Sequence, residues 1–195
     1  MPDMDLTPRD LPRVFPLVRP LTQSDAASKP AFVLEGGNEP VTRDFLDGLS
    51  LLYGVDRGDD YIWVAHRHLT DLGVSADELD ERAWQNFLQR CRDKAPQIFS
   101  NKKGGLTNLV VIGDGLEGTL FMAGNFWNEI ARQLKGRLVA ACPARDMLFF
   151  CDANSGAALA EMNESIEDVW QKADRRRVSR TVFEWMGDGW LPFEQ

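Results

Sequence analysis

The sequence predicts an α+β fold: a single domain with a mainly antiparallel sheet built from hairpins and about three helices packed on it. Short apolar runs come in pairs separated by turns rich in Gly and Asp, which is the pattern of hairpins. Between them lie longer stretches with apolar residues at helical spacing. The third observation is GRLVAACPARDMLFFCD at 136–152, where two apolar runs meet at Pro143-Ala144-Arg145-Asp146. Parallel strands need a crossover of a dozen or more residues, so these runs pair antiparallel.

In chain order, residues 1–30 are rich in Pro, Asp, Ser and Thr around one apolar run, Val14 to Val18. This predicts a loosely structured N-terminal arm with a short edge strand, because Pro cannot donate to a central ladder. The single domain is expected over 31–195, beginning with the apolar run Ala31 to Glu35. LSLLYGV and YIWVA flank Asp56-Arg57-Gly58-Asp59-Asp60 and read as a hairpin. Ser75-Ala76-Asp77-Glu78 is a capping box, a Ser and a Glu satisfying exposed amides at a helix start. Leu79, Ala83, Phe87 or Trp84, Leu88 and Cys91 follow at helical spacing, giving a helix to about Asp93.

LTNLVVI, within 104–115, predicts a strand and a turn. A second helix is expected over Thr119 to Lys135, ended by Gly136, followed by the 136–152 hairpin. A third spans Ser155 to Asp174 with Leu159, Met162, Ile166, Val169, Trp170 and Ala173 as its apolar stripe. Arg175, Arg176, Arg177 and Arg180 follow, where positive charge complements the helix dipole. RTVFEWM and WLPF around Gly187-Asp188-Gly189 form a last hairpin.

The composition, 44% apolar with six Trp and eleven Phe, supplies a core without staples. Cys91, Cys142 and Cys151 read as buried thiols of a reducing compartment. Met1-Pro2-Asp3 is no basic-then-apolar leader, and no run approaches the ~20 apolar residues of a membrane span, so a cytoplasmic protein is expected. Twenty-two basic against thirty acidic residues leave a net charge of −8. That charge opposes nucleic acid and anionic lipid and favours a basic protein partner.

The motifs carry little chemistry. Gly113-x-Gly115-x-x-Gly118 follows a strand and precedes a helix like a dinucleotide fingerprint. However, Asp114 and Glu117 put negative charge where a pyrophosphate would lie, and the next strand turns straight back. His66 and His68, read as a strand end, would point the same way, but no metal-binding spacing accompanies them. No nucleophile elbow or activated thiol is visible, so no cofactor is expected and enzyme status stays open, with a non-catalytic role favoured.

The blocks FPLVRP (15–20), YGVDRGDDYIWVAHRHL (53–69), LDERAWQNFLQRC (79–91), GRLVAACPARDMLFFCD (136–152) and the turn at 187–189 resemble, in that order, the bacterial family called domain of unknown function 1444, the YtpQ-like proteins. Pro-x-Arg-Asp is the most specific mark, with Trp84 and Asn86 in support. The similar proteins usually carry additional N-terminal sequence, and their turn before the middle helix does not keep the Gly-x-Gly-x-x-Gly pattern. The resemblance implies a bacterial protein but brings no activity or catalytic residues.

The favoured function is therefore a non-catalytic acidic protein-binding domain, for example an immunity- or inhibitor-type partner of a basic bacterial protein or toxin. Its contact residues are expected among Asp56, Asp59, Asp60, Asp77, Glu81 and Trp84. The alternative is a small-molecule or nucleotide-binding protein or enzyme with a cleft near Arg145 and the Gly113 to Gly118 turn. There Arg145 would grip an anionic group and Asp146 or Asp152 would orient it. A homodimer, covered by residues such as Trp185 and Trp190, is left open.

Overall fold

The computed structural model describes residues 5–20, 37–58, 60–101, 104–134 and 136–194. The expected α+β class with antiparallel sheets is borne out, with two sheets in place of one. The chain packs as two compact units, one of residues 1–17, 21–45 and 50–94, the other of 18–20, 46–49 and 95–195.

The first sheet consists of strands β1 (Val14–Pro20), β2 (Thr42–Leu46), β3 (Leu49–Asp56) and β4 (Tyr61–Trp63), with β3 pairing all the others. Asp47-Gly48 links β2 to β3, and Gly48 takes the left-handed conformation (φ 70°) such a tight link requires. The β3–β4 hairpin forms as its sequence predicts, with Asp56 opposite Tyr61. Gly54 sits mid-strand because an added Cβ would lie 2.9 Å from Leu17 Cδ1 and 3.1 Å from the Tyr61 ring.

Helices α1 (His66–Leu72) and α2 (Ala76–Asp93) complete the first unit. In α2 the capping box closes as its sequence dictates, with Glu78 Oε2 accepting from Ser75 N–H at 2.7 Å and Ser75 Oγ from Glu78 N–H at 3.2 Å. Leu79 and Ala83 join Val14, Tyr53, Val55, Val64 and Leu72 in a buried cluster. Within the segment expected as a loose arm, residues 8–13 form a 3-10 turn and Val14 to Val18 are buried. Asn86 on α2 donates to the Leu11 and Val14 carbonyls at 2.8 and 2.9 Å. The run Ala31 to Glu35 lies outside the described residues.

In the second unit β5 (Gln97–Ser100), β6 (Asn108–Val111), β7 (Leu138–Ala144), β8 (Met147–Asp152), β9 (Phe183–Trp185) and β10 (Trp190–Pro192) form one sheet of order β10-β9-β7-β8-β6-β5. All five neighbouring pairs are antiparallel. The 138–152 hairpin is thus as expected, with no helix inserted and a bulge before its tip.

Strand alternation divides the sheet's two faces. Val139, Ala141, Phe149 and Cys151 pack with Met162 and Ile166 of α4 (Gly156–Ala173). On the opposite face Phe150 and Phe183 meet an aromatic cluster around Trp127 of α3 (Gly124–Leu134). The helix expected over 119–135 is interrupted, because Ala123 leaves helical geometry (ψ 67°) between a 3-10 turn at Glu117–Met122 and α3.

Candidate functional site

Helical periodicity gives α2 two faces. Leu79, Ala83 and Phe87 point inward and are fully buried. Asp77, Glu81, Trp84 and Leu88, spaced by four, three and four, form the opposite stripe; the two acids are exposed and Trp84 and Leu88 half-buried. The Trp84 ring stacks on Phe87 with centroids 5.3 Å apart, so its orientation is fixed by the core beneath.

The acids at this end of α2 are held in place rather than loose. Arg43 of β2 reaches Asp77 at 2.5 Å and Asp80 at 2.7 Å, and Tyr53 donates its hydroxyl to Asp80 at 2.6 Å. Burial, then the Asp80 hydrogen bond and charge, push the Tyr53 hydroxyl far above its ordinary range, so it remains a donor at any physiological pH. Asp80 is thereby an anchor; Asp77 is exposed but paired with Arg43, and the exposed Glu81 carries negative charge outward.

The other predicted acids serve the β3–β4 turn. Asp56 accepts from Gly58 N–H at 2.7 Å and pairs with Arg90 at 3.3 Å, and Asp60 accepts from Tyr61 N–H at 2.8 Å. Asp59 lies outside the described residues. Arg90 is thirteen residues beyond Asp77, about 20 Å along the helix at 1.5 Å per residue, so the two acid groups mark opposite ends of α2.

In the second unit the hairpin tip and the glycine turn do come together. Gly118 N–H donates to the Arg145 carbonyl at 3.4 Å, and a Cβ on Gly115 (φ 71°) would lie 3.3 Å from Arg145 Nε. Asp146 pairs with Arg176, whose carbonyl also accepts from Arg145 N–H at 2.9 Å. Asp152 is at the far end of the hairpin, opposite Leu138, where it accepts from Arg137 and Asn154 N–H at 3.1 and 2.9 Å. It cannot orient anything held by Arg145. Buried Glu117 turns its Oε1 onto the Ile112 and Gly113 amides at 3.1 and 2.8 Å. The turn's own carboxylate thus occupies an amide that a phosphate would need.

His66 and His68 lie on α1, so residues two apart point to opposite sides; the strand reading, with both rings together, is corrected. His68 is buried and its Nδ1 accepts from Ala65 N–H at 3.1 Å. Among the described residues, no cluster of three or more His, Cys, Asp or Glu could hold a metal. Burial pushes the Cys91 thiol to about 11 and the Cys151 thiol to about 12, and raises Cys142 further, the reverse of an activated nucleophile. Trp190 is 7% exposed and donates to the Phe121 carbonyl at 2.9 Å, so it fills its own core and cannot cover a dimer partner. An open groove of about 550 Å³ lined by Asn128, Ala131, Arg132, Trp185 and Gly187 contains none of the predicted binding residues. No helix among the described residues is long and apolar enough to cross a membrane.

The chain is similar to the UPF0354 protein SSP1020 of Staphylococcus saprophyticus, 26% identical over 118 residues that make up 60% of this chain and 40% of that protein. The match therefore spans well under half of the relative, whose name carries no activity to transfer. No family model matches the chain, and no solved structure does.

Sequence reasoning missed Arg43 and Tyr53 as the anchors of the acidic end of α2. Their partners are 27 to 37 residues away, and no local spacing encodes such contacts.

Proposed function

We propose that this chain is a non-catalytic acidic protein-binding domain that docks on a basic partner through the outward face of α2. One observation carries the reading: Asp77, Glu81 and Trp84, three of the predicted contact residues, share one stripe of a capped 18-residue helix. A rigid aromatic flanked by carboxylates suits a basic surface, because Trp anchors binding hot spots and complementary charge speeds encounter. The net charge of −8 adds long-range attraction to such a partner. An immunity- or inhibitor-type role against a basic bacterial protein or toxin, in the cytoplasm, fits this chemistry. Membership of the YtpQ-like family, domain of unknown function 1444, is proposed separately, on the resemblance of the sequence blocks and the similarity to a UPF0354 protein. Affinity capture from the source organism with the full chain as bait is expected to recover a basic protein at low salt and to lose it at high salt. Recovery of nothing basic at low salt would refute the reading.

A second reading, a ligand site at the hairpin tip, draws on the approach of Arg145 to Gly115. It predicts that a nucleotide or phosphorylated metabolite raises the thermal midpoint of the wild-type chain and leaves that of folded Arg145→Ala unchanged. Equal shifts in both chains, or none in either, would remove this reading.

A further inference from the structure

Among the described residues, strand β5 ends the six-stranded sheet, and one side of its backbone has no strand neighbour. Its four residues, Gln97, Ile98, Phe99 and Ser100, are all exposed, with Ile98 at 47% and Phe99 at 49%. Folded proteins protect such edges with Pro or charge. At the sheet's other end β10 carries Pro192, and in the first sheet β1 carries Pro16, Arg19 and Pro20 while β2 carries Arg43 and Asp44. By comparison β5 has no charged residue and no Pro within it.

We infer that β5 is a self-pairing edge, on which the β5 strand of a second copy of this chain docks antiparallel about a two-fold axis. The inference is independent of the α2 reading. Antiparallel ladders alternate bonded and non-bonded pairs. Asn101 N–H donates to the Thr107 carbonyl at 2.7 Å, which makes 101, 99 and 97 the residues bonded toward β6 and turns the main-chain groups of Ile98 and Ser100 outward. A two-fold centred on Phe99 pairs Ile98 with Ser100 of the second copy and Ser100 with its Ile98, so all four outward groups on each side find partners. Phe99 then meets its own equivalent as a non-bonded aromatic pair.

The backbone donors select this register. Centring the axis on Ile98 instead gives Ser100 a proline partner, Pro96, with no N–H to donate. Only four residues pair, so the contact is small for a protein interface and its occupancy depends on concentration.

Sedimentation velocity of the full chain over a wide concentration range tests this. The wild type is expected to shift reversibly from monomer to dimer, and Phe99→Lys to weaken the dimer about tenfold or more. In the same register Phe99→Cys meets itself with Cα atoms about 4.5 Å apart, within disulfide range, and forms a covalent dimer on mild oxidation. Ile98→Cys faces Ser100 of the second copy and does not. Because the cysteine variants report on pairing directly, they stand even if the lysine variant folds poorly. A wild-type chain that stays monomeric throughout, or an Ile98→Cys chain that cross-links as readily as Phe99→Cys, would overturn the proposal.

Discussion

Trp127→Ala is expected to lower the unfolding free energy by about 3–5 kcal/mol, the range for emptying a large aromatic site in a packed core. Trp127 is fully buried and its ring lies 4.9 Å from Trp190, 6.0 Å from Phe150 and 6.4 Å from Phe121. Its indole N–H also donates to the Leu120 carbonyl at 2.6 Å, satisfying the end of the 3-10 turn that precedes α3. Alanine removes the ring and one of the two donors to that carbonyl, which keeps the Ala123 N–H at 2.8 Å, and neighbouring aromatic rings collapse poorly into the space because they are locked by their own contacts. Urea denaturation followed by far-ultraviolet circular dichroism measures the effect. A loss below about 1 kcal/mol would mean that this aromatic cluster is not the core of the six-stranded sheet's second face.

Glu161→Gln is expected to cost about 1–3 kcal/mol and to flatten the acid limb of the stability profile. Glu161, on α4, accepts from Thr107 N–H at 3.0 Å, from the Thr107 hydroxyl at 2.7 Å and from Leu106 N–H at 3.3 Å. Thr107 is fully buried, so its donors have no water to turn to. The glutamine oxygen replaces one acceptor, but its amide group then confronts a backbone N–H. Desolvation pushes the Glu161 carboxyl upward, yet the hydrogen bonds from Thr107, Leu106 and Asn101 outweigh it and hold the group below its ordinary value. A depressed folded value means that the stabilisation is complete above the unfolded carboxylate range, near pH 4.3, and is lost as pH falls through the folded value. Wild-type stability should therefore drop more steeply than that of Glu161→Gln between about pH 5 and 3. Parallel profiles would contradict the assigned role. With Ser165, which accepts from Asn101 Nδ2 at 2.7 Å, Glu161 clamps the β5–β6 turn to α4 and so sets the position of the exposed β5 edge.

The elements read most directly from the sequence were those whose signals are local. The capping box at Ser75 and Glu78, the Asp- and Gly-rich turn before Tyr61, and the close return of the 136–152 hairpin are each encoded within a few residues. The misreadings arose where local signals were weak or where distant contacts decided. Helix α1 is only seven residues long, and its β-like preface YIWVA concealed its start. The exposed β5 is four residues long and has no burial pattern to reveal it. At the site, periodicity alone places Asp77, Glu81 and Trp84 on one stripe. It could not show that Asp56 and Asp60 cap a turn at the other end of α2, because that arrangement depends on Arg90 reaching across to β3. Asp152 shares a motif with Arg145 in sequence, but a straight hairpin puts the two at opposite ends.

The outward face of α2 is tested most directly by capturing partners from the source organism in parallel with three baits, the wild type, Glu81→Lys and Trp84→Ala, each first shown to be folded by its thermal midpoint. The account predicts one basic protein that is recovered by the wild type at low salt, falls about tenfold or more with either variant, and is lost at high salt. A basic partner recovered equally by all three baits would contradict it, because the stripe formed by Asp77, Glu81 and Trp84 would then not be the surface that binds.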